Sequence, residues 1–183
     1  MEKSKNKELF KTGDIILTQG RSTLSKLIGI FQSKENKEYG KYSHSGLVWI
    51  AYGRVFIVEA QKEGIVITDY EEYYEKSGKF KKILLLKPDV KIDGSVFGEM
   101  MLPYIGRVRY DFFNLLISQP IKILFDKWIG AKKQRTRRFI CHEWTTFMYN
   151  KYFDCKLFKN PLKANVVDIA TNTFFTHYVA LEN

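Results

Sequence analysis

Cysteine is scarce in this chain of 183 residues, which contains only two, Cys141 and Cys155. Two cysteines are too few for a disulfide framework. Neither belongs to a CxxC pair, so the sequence indicates no zinc site and no redox-exchange site. Each thiol is therefore interpreted from its own surroundings.

Long apolar runs are also missing. The most apolar region covers 112–125, but Asn114, Pro120 and Lys122 interrupt it, and it is shorter than the roughly 20 residues needed to span a bilayer. The first ten residues are charged and lack the apolar core of a secretory signal. We therefore expect neither a transmembrane segment nor an export signal, and a cytoplasmic protein if the chain is full length.

The composition is typical of a packed globule. Hydrophobic residues make up 45% of the chain and charged residues 27%, which excludes disorder over most of its length. The length suits one domain over 1–183, with a frayed start at 1–11 and an insertion or lid at 112–138. A formal net charge of +10 favours anionic partners, whether nucleic acid, acidic polymer or anionic lipid.

Strand patterns dominate the first half of the chain, and helical patterns dominate the second. Apolar runs and turn residues predict strands at 13–17, 45–51, 55–60, 64–68 and 82–87, and Ser22 is a suitable N-cap for a first helix. Helical spacing predicts further helices over 96–105, over 111–118, and from Cys141 onward. The fold class is therefore α+β, an antiparallel sheet or barrel packed on helices from the second half.

Cys141 is the first candidate for chemistry. It follows the basic run 132–138 and begins an apolar helical pattern, so the thiol should meet the positive end of the helix dipole. That position and the nearby arginines favour the thiolate, which is the nucleophilic form. A buried small side chain is the structural alternative.

His44 and Glu59 are linked by the geometry of a predicted hairpin. A turn centred on Tyr52 and Gly53 pairs residues whose numbers sum to 105, so Glu59 lies diagonally beside His44 on the same face. His44 can then accept the thiol proton as a base while Glu59 orients the imidazole. A turn of odd length would place the two side chains on opposite faces.

Six short motifs resemble, in order, those of the YiiX-like hydrolases. This group has a circularly permuted papain-like fold related to NlpC-type peptidases and to lecithin:retinol acyltransferase. The motifs lie at 13–17, 43–48, 58–60, 106–112, 139–143 and 160–170, and the resemblance covers about 12–175.

The resemblance implies a permuted papain-like fold in which the sheet with His44 and Glu59 precedes the helix bearing Cys141. It also implies that Cys141 is the nucleophile, His44 the base and Glu59 the orienting residue, with no metal or cofactor. Tyr110 would correspond to a tyrosine near the thiol that helps to bind the oxyanion, or would be a core tyrosine. His142 stands where many relatives have serine. It would either replace the expected base or lie on the outer face of the helix, and we expect the outer face.

The predicted function is a thiol-dependent hydrolase or acyltransferase. Its substrate would be a peptide amide, including a cell-wall peptide, or a lipid acyl group, and an anionic membrane surface is a further candidate partner. The alternative is a non-catalytic protein that binds anionic lipid or nucleic acid through the basic segment 132–138. That segment contains no recognised nucleic-acid motif, so nucleic acid is the weaker choice.

Overall fold

A six-stranded sheet and four α-helices form the framework of the protein in a computed structural model, which describes residues 9–111, 115, 138–154, 157–161 and 163–182. The strands are β1 (Ile15–Gly20), β2 (His44–Ala51), β3 (Arg54–Gln61), β4 (Gly64–Asp69), β5 (Phe80–Pro88), β6 (Arg109–Tyr110), β7 (Arg138–Phe139) and β8 (Phe175–Glu182). The α-helices are α1 (Thr23–Gln32), α2 (Gly94–Met101), α3 (Cys141–Tyr152) and α4 (Val166–Ala170). A π-helical turn covers Tyr70–Glu75, and a 3₁₀ turn covers Leu102–Tyr104.

The large sheet is antiparallel throughout, with the strand order β4-β3-β2-β1-β5-β8. Five of its strands come from the first half of the chain, as predicted. The sixth strand, β8, was not predicted from any sequence pattern. It comes from the C-terminal end of the chain and pairs with β5. The predicted α+β class, with an antiparallel sheet and helices, is confirmed.

The hairpin of β2 and β3 has the register that the sequence predicted. Leu47 pairs with Val58, and Ala51 pairs with Arg54, so paired residue numbers sum to 105. Tyr52 and Gly53 form the connection with φ angles of 52° and 69°. Such positive φ values belong to the tight turns whose twist matches that of antiparallel strands.

Helix α3 lies over β2 and β3 and is held there by two specific contacts. The indole Nε1 of Trp144 donates a hydrogen bond to the carbonyl of Val58 at 3.2 Å. The hydroxyl groups of Ser45 and Thr145 are 3.1 Å apart, which joins the helix to β2. Because Cys141 is the first residue of this helix, these contacts bring its sulfur toward the strands that carry His44 and Glu59.

Both faces of the large sheet are covered by apolar side chains. On one face, Leu47 and Val58 belong to a buried cluster with Trp144 and Met148 of α3. The side chains of the adjacent strand residues point to the other face, where they pack against aromatic side chains from the N-terminal segment and from the π-helical turn. These aromatic side chains are Phe10, Tyr70 and Tyr74.

The helical predictions for the second half have different outcomes. Ser22 caps α1, as predicted, and the helix predicted over 96–105 is present as α2 followed by the 3₁₀ turn. The helix predicted over 111–118, and the insertion or lid predicted over 112–138, fall almost entirely outside the described residues. Within the part of the chain that is described, no helix combines the length and apolar character required to cross a bilayer.

Candidate active site

Cys141 begins α3 and is almost completely buried, with 1% of its surface exposed. The preceding residue, Ile140, has extended backbone angles, and its N–H donates to the Glu143 carboxylate at 3.1 Å. Just before it, Phe139 of β7 pairs with Tyr110 of β6 in a short parallel ladder. The backbone before the helix is therefore fixed on both sides, which places the thiol at the helix N-terminus where the dipole favours an anion.

His44 and Glu59 are in direct contact, as the hairpin register requires. His44 Nε2 forms a hydrogen bond with Glu59 Oε2, an atom pair that also meets the distance criterion for an ion pair. The Glu59 side chain is 1% exposed, whereas the His44 side chain keeps 23% of its surface open. The contact at Nε2 leaves Nδ1 as the ring nitrogen that is available to the thiol.

The Cys141 thiol and the His44 imidazole lie close enough for each to shift the pKa of the other. Burial alone would raise the pKa of Cys141, but the charge of His44 and hydrogen bonds from His142 and His44 hold it well below its ordinary value. Burial would lower the pKa of His44, but the charges of Cys141 and Glu59 raise it from 6.5 to about 10. Both shifts favour the thiolate of Cys141 together with the imidazolium of His44.

Two further residues hold the Glu59 carboxylate, and sequence reasoning missed both. The Tyr74 hydroxyl donates to Oε2 at 2.5 Å, and the Gln61 amide donates to Oε1 at 2.9 Å. Burial would raise the pKa of Glu59, but the charge of His44 and hydrogen bonds from His44, Tyr74 and Thr68 lower it below its ordinary value. The carboxylate therefore stays charged in a buried position and can orient His44.

Tyr110 lies beside the thiol at the start of the same ladder. Burial and the negative charge of Cys141 raise the pKa of Tyr110 above its ordinary value, so the hydroxyl keeps its proton. A protonated hydroxyl in this position can donate a hydrogen bond. Its assignment to the oxyanion stays a prediction.

The expectation for His142 was wrong: the side chain is 1% exposed and does not lie on an outer face. Its Nδ1 atom is 3.7 Å from Cys141 Sγ. The side of α3 that faces away from the sheet is covered by the later segment 157–161. The Thr146 hydroxyl donates to the Pro161 carbonyl at 3.5 Å, and the Asn150 side chain forms hydrogen bonds of 2.7 and 2.8 Å with the backbone of Phe158. The helical spacing of apolar residues in α3 does not predict that a later segment covers this side.

An open cavity of about 260 Å³ lies beside His44 and Glu59, and Cys141 is not among the residues that line it. His44, Glu59 and Tyr110 line it together with apolar side chains that include Ile28 of α1 and Phe80 of β5. Its remaining walls carry hydroxyl, amide and ammonium groups from Thr18, Ser25, Ser43, Gln61, Lys62 and Tyr73, and apolar surface from Ala60 and Leu115. A ligand in the cavity would therefore meet a mixed wall beside the imidazole.

A search of solved structures gives a match to the crystal structure described as metalloprotein yiiX from Escherichia coli O157:H7, DUF1105. The TM-score is 0.66 at 16% sequence identity, over 94% of this chain and 98% of that chain. This chain has a YiiX-like fold. No family model matches the sequence, and no curated protein matches it.

The described residues do not form a cluster of metal ligands. Among the residues that the structure describes, no three His, Cys, Asp or Glu side chains are grouped so as to hold a metal ion. The charged cluster of Cys141, His44 and Glu59 is instead connected by hydrogen bonds within itself.

The third histidine of the chain, His177, is in β8, and its Nδ1 atom is 3.2 Å from the Tyr39 hydroxyl. Cys155 lies outside the described residues. The basic segment 132–138 also lies outside the described residues, apart from Arg138. The alternative function, a non-catalytic binding protein, depends on this segment and stays a prediction.

Replacing Glu59 with glutamine should slow turnover by about 10- to 100-fold, because the loss of one charged hydrogen bond corresponds to about 1.5–3 kcal/mol. The neutral amide orients His44 less firmly and no longer supports its positive charge. The measurement is steady-state turnover of an activated ester such as 4-nitrophenyl acetate. The matched control is Glu63→Gln, which neutralises an exposed carboxylate in the turn between β3 and β4 and should behave as wild type. Turnover of Glu59→Gln as low as that of Cys141→Ala would contradict the orienting role.

Proposed function

We propose that the protein is a cysteine hydrolase or acyltransferase that cleaves an amide or ester through Cys141, His44 and Glu59. The observation that carries this proposal is the hydrogen bond between the buried Glu59 carboxylate and the His44 imidazole, on the side of the sheet where Cys141 begins α3 and where the thiol and the imidazole shift each other's pKa toward the charged forms. This is the order of groups that activates a nucleophile in triad enzymes. The YiiX-like fold supports the architecture and leaves the chemistry to be tested.

The proposed reaction begins when the Cys141 thiolate attacks the carbonyl carbon and forms a tetrahedral oxyanion. Backbone N–H groups of the first turn of α3 have no carbonyl partner within the helix and are suited to stabilise this charge, with Tyr110 as a further donor. His44 then transfers its proton to the leaving nitrogen or oxygen, and the C–N or C–O bond breaks. An acyl-thioester remains on Cys141.

The second half of the reaction releases the acyl group. His44, now neutral, accepts a proton from water or from another acceptor as that molecule attacks the thioester. The C–S bond breaks, the thiolate returns, and the imidazolium is restored. With water as the acceptor the reaction is hydrolysis, and with an alcohol or amine it is acyl transfer.

Two substrate classes fit this chemistry, and a panel of probes separates them. The mixed wall of the cavity suits a peptide with its amide groups, whereas its apolar part and the net charge of +10 suit the acyl chain of an anionic lipid. We would compare matched series of peptide amides and lipid esters, with the Cys141→Ala variant as background. A faster Cys141-dependent rate for one series assigns the class.

Selective alkylation is expected at Cys141. Iodoacetamide should modify it faster than Cys155, with a pH midpoint below the free-thiol value of about 8.5, because the thiolate forms once the pH exceeds the lowered pKa. Peptide mass mapping across a pH series measures both rates, and denatured protein gives the reference in which the two thiols are equivalent. Equal rates in the folded protein would contradict the activation of Cys141 on which the proposal rests.

A further inference from the structure

Two imidazoles, and not one, contact the proposed nucleophile. His44 reaches the Cys141 sulfur from β2, and His142 reaches it from the adjacent position on α3, with Nδ1 at 3.7 Å from Sγ. Hydrogen bonds to sulfur are long, so this separation is within the range of such a bond. The mechanism proposed above uses only the first imidazole.

The surroundings of His142 indicate which of its nitrogens carries hydrogen. Among the described residues its Nε2 atom is buried and has no hydrogen-bond partner. A buried N–H without an acceptor is rarer in proteins than an acceptor without a donor. The arrangement that leaves no N–H unpaired therefore places the hydrogen on Nδ1, where it points at sulfur.

The two histidines also differ in their second hydrogen-bond partner. The Nε2 atom of His44 contacts the Glu59 carboxylate, which supports a positive charge on the ring. The carboxylate nearest to His142 in sequence, Glu143, accepts the N–H of Ile140 at 3.1 Å. His44 is therefore suited to proton transfer, whereas His142 is suited to donate a hydrogen bond.

We infer that His142 is a second hydrogen-bond donor to the Cys141 thiolate, acting together with His44 and not in place of it. This inference deepens the proposed function and rests on it. Among the described residues, the other ionisable groups that face the sulfur electrostatically are Tyr74 and Tyr110, and both keep their protons at neutral pH. Neither supplies a positive charge, so within the described part of the chain the two histidines account for the stabilisation of the thiolate by side chains.

A second donor has a consequence for each half of the reaction. It holds the sulfur as thiolate before attack, and it stabilises the same thiolate when it leaves the thioester. A thiol of lower pKa is a better leaving group but a weaker intrinsic nucleophile. His142 is therefore expected to favour release of the acyl group more than its transfer to the enzyme.

The test compares His142→Asn with His142→Leu. The asparagine amide nitrogen lies near the position of the histidine Nδ1 and keeps a donor, whereas leucine keeps apolar volume and has none. The readout is the pH midpoint of thiolate formation, followed by ultraviolet absorbance against a Cys141→Ser reference. We expect His142→Leu to raise the midpoint by about one pH unit, which corresponds to loss of one hydrogen bond to a charged group. We expect His142→Asn to stay near wild type.

The outcomes separate this inference from the proposed function. A midpoint unchanged in His142→Leu, or raised equally in both variants while thermal unfolding shows both folded, would overturn the role as donor. A midpoint that rises in His142→Leu alone supports it, and this measurement does not depend on turnover. If the midpoint rises in His142→Leu alone but the wild-type protein shows no Cys141-dependent turnover of any probe in the panel, the role of His142 as donor is supported and the proposed enzymatic function is wrong.

Discussion

Cys141→Ala is expected to reduce turnover of 4-nitrophenyl acetate to the uncatalysed rate, a loss of about a thousandfold or more. The sulfur is the atom that forms the bond to the acyl group, and alanine has no atom that could replace it. Water in the cavity does not compensate, because the preorganised thiolate and imidazolium pair is removed together with the nucleophile. The measurement is the steady-state release of 4-nitrophenol after subtraction of the buffer rate.

Cys155→Ala is the matched control for this experiment, since it removes the other thiol and should retain wild-type turnover. Thermal unfolding of both variants checks that the comparison is between folded proteins. If Cys141→Ala keeps its activity while Cys155→Ala loses it, the nucleophile has been assigned to the wrong cysteine. If neither substitution changes turnover, the activity does not depend on a thiol, and the proposed mechanism is wrong.

The hairpin that brings His44 to Glu59 was predictable because its information is local. Tyr52 and Gly53 accept the positive φ values of a two-residue turn, and once the turn is fixed the register follows along both strands. The start of α3 at Cys141 was predictable for the same reason, from the basic run before this residue and the helical spacing of apolar residues after it. These two local patterns supply the three candidate residues.

Other parts of the fold and site depend on contacts between distant segments and could not be predicted in this way. Strand β8 pairs with β5, and the paired residues Leu86 and His177 are far apart in the chain. Tyr74 lies in a tyrosine-rich stretch between two predicted strands, and its hydroxyl reaches Glu59 because the π-helical turn folds back over β3. The burial of His142 likewise comes from a later segment that covers α3.

His44→Ala is expected to lower turnover by about 100- to 10,000-fold, the range associated with loss of general acid–base catalysis. The thiol loses its main positive neighbour, so the midpoint for alkylation of Cys141 should rise toward that of an ordinary thiol. The wild-type pH profile should be bell-shaped. Activity appears as the pH rises through the lowered thiol pKa and is lost as His44 deprotonates near about 10. The alkaline limb should be absent from any residual activity of the variant.

His44→Gln is the matched control for the structural part of this substitution. Its amide can donate to Glu59 from near the position of Nε2, so the buried carboxylate keeps its partner, but the amide cannot act as a base. Both variants should fold, because Tyr74 and Gln61 still donate to Glu59, and both should be inactive. Since the His44 side chain is 23% exposed, added imidazole should enter the space left in His44→Ala and restore part of the rate. Full turnover in His44→Ala together with its loss in His142→Leu would transfer the role of base to His142.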